Sequence, residues 1–162
     1  MPSVVKDTEF TWLHFWVPGV PAPQGSKIRT RYGMREASQK VKPWREAVKH
    51  AAMTAMDNDD DFQPIEQEGV HLRLRFIFKR PQSHYGTGSR WNILKERFTN
   101  AKMTRKPDVD KLCRATMDAL TEAGVWADDS QVCDLQATKK YGNDRTVEGA
   151  WIYIDNSYNK EH

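Results

Sequence analysis

The chain has 162 residues, 38% hydrophobic and 29% charged, which suits one ordinary domain with a core of its own. No apolar run approaches the roughly 20 residues of a bilayer-spanning helix, and MPSVVKDTEF carries Lys6, Asp7 and Glu9 where a secretory leader would be apolar, so a cytoplasmic protein is expected. The net charge of +3 says little, but between 79 and 106 eight Lys and Arg stand against one acid, Glu96, an excess that suits an anionic partner.

Residues 10–17 (FTWLHFWV) read as a strand, rich in aromatic and β-branched side chains. PGVPAPQGSK follows, where three prolines and two glycines predict an ordered loop, and then Arg29, Arg31 and Arg35. Residues 41–56 read as a helix, with Pro43 in the first turn and an apolar stripe at Trp44, Ala47, Val48, Ala51, Ala52 and Ala55. DNDDD at 57–61 ends it as a solvated loop. Residues 70–78 alternate, Val70, Leu72, Leu74 and Phe76 on one face, His71, Arg73 and Arg75 on the other, which predicts a half-buried strand. The basic segment 79–106 follows, with a short helix expected near 90–98. Tyr85 and Trp91 within it read either as loop anchors or as surfaces for stacking on opened bases. A second helix is expected over 111–123, stopped by Gly124. Residues 131–141 and 147–154 read as strands paired with each other around Gly142-Asn143-Asp144. The fold class that follows is α+β, one domain over 1–162 with a small mixed sheet and two main helices.

Cys113 and Cys133 fall in no metal-binding pattern and are expected to be two buried thiols. No GxSxG, P-loop or GxGxxG occurs, so no nucleotide cofactor is expected.

The carboxylates of 106–132 (KPDVDKLCRATMDALTEAGVWADDSQV) carry the chemical signal. If 108–110 is extended, Asp108 and Asp110 point to the same side, and Asp110 sits where a helix N-cap belongs. A helix over 111–123 is about 20 Å long. The run 124–129 spans about 20 Å when fully extended. Asp128 and Asp129 therefore return to the helix start only if that run is nearly straight; otherwise a partner chain would have to complete the cluster. Clustered carboxylates suit Mg²⁺, a hard ion that keeps positions open for water or substrate phosphate. Two such ions about 4 Å apart can clamp both oxygens of an in-line phosphodiester displacement. The bland alternative is a helix cap and an unrelated acidic turn.

KPDVDKL…MDALTEAGVWADDSQV resembles the signature of the RusA-like Holliday-junction resolvases, endodeoxyribonucleases common in bacteriophages and prophages. The usual pattern is a basic residue, D-(apolar)-D-N-L, D-A-L-N/T, G-(apolar)-W/F and D-D-(small)-Q. Asp108, Asp110, Leu112, Asp118, Ala119, Leu120, Gly124, Trp126, Asp128, Asp129 and Gln131 fall in step with it. VPGVPAPQGSKIR is similar to the family's strand and Pro-rich basic loop, and Lys139 and Lys140 to its lysines after the DD. The resemblance implies a homodimeric nuclease of a bacterial host or phage that cuts four-way DNA in recombination and repair. It implies one or two Mg²⁺ ions, with Mn²⁺ able to substitute. Asp108, Asp110 and Asp129 carry over as catalytic metal ligands, with Asp128 beside them. Lys27, Arg29, Arg31, Arg105, Lys106, Lys139 and Lys140 are the expected DNA contacts. Lys111 stands where the family often has Asn, and Arg114 where a functional Lys is common; Arg keeps the charge but changes its donor geometry. Arg114 reads either as a catalytic cation or as a helix-surface partner of Asp110 or Asp118, and Asp118 itself as structural. A less selective nuclease on flaps or forks, and an inactive junction-binding protein, are the rival readings.

Overall fold

The computed structural model describes residues 12–25, 27–31, 33–36 and 39–156; at 27–30 and 33–36 the description covers the backbone alone. Six strands and two main helices follow in the order β1 (Trp12–Pro18), β2 (Lys27–Thr30), β3 (Gly33–Glu36), α1 (Val41–Asp57), β4 (Val70–Phe78), α2 (Val109–Ala123), β5 (Val132–Tyr141), β6 (Gly149–Asp155). Phe10 and Thr11, expected at the start of β1, lie outside the described residues.

The expected alternation of β4 is present. Val70, Leu72, Leu74, Phe76 and Phe78 are buried, while Arg73 and Arg75 are exposed on the other face. This strand organises the sheet, whose order is β1-β6-β4-β5. β5 runs parallel to β4 and β6 antiparallel to it. The expected β5–β6 hairpin is therefore wrong: β4 lies between the two strands. A strand buried along one face and hydrogen-bonded on both edges is a better template than a local turn, and residues 142–148 cross its end, with Gly142 N–H donating to Phe78 O at 2.9 Å. The loop after β1 also contains more order than expected, since β2 and β3 form a hairpin directly after the prolines.

α1 and α2 pack on each other and on one face of the sheet. Trp44 of α1 is 1% exposed, and its indole N–H donates to Thr116 Oγ1 of α2 at 3.1 Å. α2 begins two residues earlier than expected, with Asp108 rather than Asp110 at the N-cap, and Asp110 in the first turn. Gly124 takes φ 83°, the left-handed C-terminal stop its position predicts. The opposite sheet face carries Trp12, His14, Trp16, Trp151 and Tyr153; His14 stacks on Tyr153 at 5.7 Å. Cys113 is buried as expected, but Cys133 is exposed on the edge strand β5.

The long 79–106 segment holds three single 3₁₀ turns (Gln82–His84, Gly88–Arg90, Glu96–Phe98) in place of the helix expected near 90–98. Two of the cationic side chains near it serve its structure. Arg80 is buried and donates to Phe98 O at 2.7 Å, Gly142 O at 3.1 Å, Thr99 O at 3.3 Å and Asn143 Oδ1 at 3.3 Å. Arg145, in the 142–148 turn, lies over the rings of Tyr85 (4.1 Å) and Trp91 (5.0 Å). Tyr85 is a buried anchor, 4% exposed, whereas Trp91 is 57% exposed. His84 stacks on Phe98 at 4.2 Å, and burial, then the charges of Arg80, Arg105 and Lys95, hold its imidazole below the ordinary range. It is a neutral packing ring at pH 7.

Arg80→Met removes the donors that tie the segment to the β5–β6 turn and takes the side-chain donor from the Gly142 and Thr99 carbonyls, while Phe98 O keeps Ala101 N–H. A loss of about 2–3 kcal/mol is expected, with faster protease cutting inside 79–106. A variant with wild-type melting and an unchanged limited-proteolysis pattern contradicts this role.

Candidate active site

Register places Pro18, Phe78, Tyr141 and Gly149 at one end of the sheet, through Pro18↔Gly149, Ile77↔Gly149 and Phe78↔Tyr141. Three connections leave from that end: the Pro-rich loop, the 79–107 segment and the 142–148 turn. α2 starts there too, at Asp108, which is half exposed with Lys111 Nζ 3.6 Å from its Oδ2. Asp110 is exposed one turn in, and its carboxylate lies close enough to Cys113 to act with burial, the larger cause, in raising that thiol to about 11.

Asp110, Arg114 and Asp118 are spaced i, i+4, i+8 and so share one face of α2. The Pro-rich loop runs along this face. Gln24 N–H donates to Lys111 O at 3.1 Å, and the Gln24 side chain bonds Asp118. The Arg114 guanidinium presses on Gly25, where a Cβ would sit 2.7 Å from Nη1; Gly25 also takes φ 112°, so two constraints call for glycine there. Arg45 of α1 joins from the side, donating to Gln24 Oε1 at 3.3 Å and pairing with Glu122.

Residues 124–131 do not run straight back along α2. Trp126 is buried and donates to Thr121 Oγ1 at 2.7 Å, which pins the return at the last turn of the helix. Asp128 and Gln131 then build a reciprocal cap: Asp128 Oδ1 accepts from Ser130 N–H at 2.8 Å, and Gln131 Oε1 accepts from Asp128 N–H at 2.9 Å. The Ser130 side chain, then its backbone N–H, hold the Asp128 carboxyl below the usual carboxylate range. Gln131 also donates to Ile65 O at 3.0 Å, fixing the turn to the core. The DD-(small)-Q motif is thus a scaffold that presents Asp129.

Asp129 meets Asp118. The two side chains are hydrogen-bonded, and Asp129 also accepts from Thr121 Oγ1 and, at 3.2 Å, from Trp126 Nε1. Burial, then Asp129, raises the Asp118 carboxyl. Asp118 lies eight residues beyond Asp110, about 12 Å along the helix axis. The four expected aspartates are therefore spread along α2, Asp108 and Asp110 at its start and Asp129 beside Asp118 further on. Among the described residues, no group of three or more His, Cys, Asp and Glu is gathered tightly enough to hold a metal ion. Asp118, expected to be structural, is the carboxylate that Asp129 reaches; its signal in the sequence was the i+8 spacing. Two carboxyl groups this close repel each other when both are charged, and a hard divalent ion is the counter-charge that suits such a pair.

The expected cations divide. Lys139 is half-buried on the helix side of β5 and donates to Arg105 O at 2.6 Å and Pro107 O at 2.8 Å, so it fixes the approach to Asp108. Lys140 points to the other face and is exposed, as are Arg105, Lys106 and Arg31. The side chains of Lys27 and Arg29 lie outside the described part.

A family model for endodeoxyribonuclease RusA matches residues 18–148, which is most of the chain. The chain belongs to the endodeoxyribonuclease RusA family. Over 35 residues it is 51% identical to the crossover junction endodeoxyribonucleases RusA of Enterobacteria phage 82 and of Escherichia coli strain K12. That stretch is 22% of this chain and 29% of each relative, so the chain spans less than a third of the curated relatives it matches. The matched span takes in the Pro-rich loop, β4, the aspartate-bearing helix and β5, while β6 and all of β1 but Pro18 lie outside it. No helix among the described residues is long and apolar enough to cross a membrane.

Proposed function

We propose that this chain is a Mg²⁺-dependent endodeoxyribonuclease that resolves four-way DNA junctions in recombination and repair. The observation that carries the reading is the family match over 18–148, which includes the Pro-rich loop and every aspartate of the α2 face. The names of its relatives supply the substrate, a crossover junction.

The residues divide the work. Asp108, Asp110 and Asp129, with Asp128 and Asp118 beside them, are the ligands for one or two Mg²⁺ ions, with Mn²⁺ a substitute. A divalent ion bound there supplies Lewis-acid stabilisation of charge on the phosphate oxygens. Asp110 and Asp108, exposed at the helix start, lie at the end of the sheet from which the Pro-rich and basic connections leave. Arg114, held against Gly25, adds fixed positive charge on the same helix face and supports the transition state electrostatically. Lys27, Arg29, Arg31, Arg105, Lys106 and Lys140 bind phosphates, and Lys139 acts on DNA at one remove by holding the Arg105–Pro107 backbone.

A four-way junction has two symmetric strands to cut, so a C₂ homodimer with two sites matches it. Asp129 engages Asp118 rather than Asp108 or Asp110, which favours a second chain or bound DNA and metal as what draws the carboxylates together. The setting is the cytoplasm of a bacterial host, with a phage or prophage as the source.

The test is cleavage of a mobile four-way junction beside a flap and a linear duplex of the same sequence, with Mg²⁺ or with EDTA. Paired symmetric incisions are expected in the junction alone, and only with Mg²⁺. Equal cutting of the flap supports a less selective nuclease, and binding in Ca²⁺ without cutting in Mg²⁺ an inactive binder; either result overturns the reading.

A further inference from the structure

Beside Asp108 lies a cavity of about 510 Å³, within the roughly 300–1,000 Å³ range of small-ligand sites. Its wall is apolar, formed by Val20, Pro21, Ala22, Pro23, Phe78 and Met103. Its rim is cationic: Lys40, Arg105, Lys106 and Lys111 stand against two acids, Asp108 and Glu148. Ala22 and Met103 are buried and Arg80 pins the segment leading to Met103, so the cavity is built into the fold.

This combination does not suit an intact duplex, which offers a convex phosphate surface and hides its apolar faces. It suits one nucleotide taken out of the stack, with its flat base against the prolines and its flanking phosphates on the cations. Unstacking costs least where pairing is already interrupted, as at a branch point. We propose that this cavity receives a single unstacked nucleobase from the DNA strand beside the phosphodiester that is cut. The proposal rests on the nuclease reading above and adds a positioning element to it: seating the base sets the adjacent phosphate against Asp108. It also makes cleavage depend on the nucleotide at one position.

The test places 2-aminopurine, one position at a time, around the branch point of a four-way junction bound in Ca²⁺. One position is expected to brighten several-fold on binding. Val20→Phe fills the cavity from its lip without touching the core, since Val20 is 48% exposed. It should remove most of that brightening while junction affinity by gel shift changes less than about tenfold, the low end for one apolar contact. In Mg²⁺, an abasic site at the bright position should slow cutting of the wild-type protein about tenfold relative to an abasic site two nucleotides away. If the junction binds and is cut but no position brightens, or if Val20→Phe brightens like wild type, the base pocket is overturned and the nuclease reading stands. If the junction is not bound in preference to duplex, both fall.

Discussion

Asp110→Asn is expected to abolish cleavage of a four-way junction and to leave junction binding in place. The change removes one negative charge and almost no volume. Asp110 is exposed in the first turn of α2, so the fold loses only the favourable carboxylate at a helix N-terminus, worth about 0.3–1 kcal/mol. On the proposed reading, Lys and Arg on phosphates carry binding, and deleting a negative charge should not weaken it. Cutting is different, because a charge that acts on the reacting phosphate acts in the transition state. A loss on the order of 10³-fold or more in the single-turnover rate is expected, at the upper end of what one preorganised electrostatic group supplies. Gel shifts in Ca²⁺ and single-turnover cleavage in Mg²⁺ separate the two effects. Normal cutting by this variant shows that the acidic face of α2 is not the reactive one. Weakened binding together with weakened cutting assigns Asp110 to structure.

The second large effect is on stability. Trp44→Ala should cost about 3–5 kcal/mol, the usual range for emptying a fully buried aromatic site. Trp44 sits between α1, the sheet and α2, 6.5 Å from Phe76 ring to ring, and its indole N–H is the polar tie to Thr116. Trp44→Phe keeps most of the packing and loses that tie, for about 1 kcal/mol. Thr116 Oγ1 still donates to Leu112 O at 2.9 Å in that variant, so no hydroxyl hydrogen is stranded. Urea unfolding followed by circular dichroism gives both values. An alanine variant within about 1 kcal/mol of wild type would mean that the helix pair contributes little to holding the sheet face closed.

Much of the fold is legible in local pattern. The β4 alternation, the Trp44–Ala55 stripe of α1 and the Gly124 stop are local physics, and the structure keeps all three. The β5–β6 hairpin failed because strand pairing is a competition among all available edges. Gly-Asn-Asp signals a turn but does not say which edge the following strand meets, and β4 outcompeted β5 for β6. The basic 79–106 segment misled in the same way. Charge counts do not distinguish a cation aimed at solvent from Arg80, whose donors are all turned inward.

The aspartates divide along the same line. The sequence by itself determined that Asp108, Asp110, Asp128 and Asp129 belong to one family signature, and that Asp110, Arg114 and Asp118 share a helix face, because both follow from order and a 3.6-residue period. Only the tertiary structure decided where Asp129 arrives. Trp126 is driven into the core and its N–H finds Thr121, while Gln131 is tied to Ile65. Those contacts hold the chain over the last two turns of α2, beside Asp118 and Thr121, short of the helix start. The chain length permitted either end point, and core packing around one tryptophan chose between them.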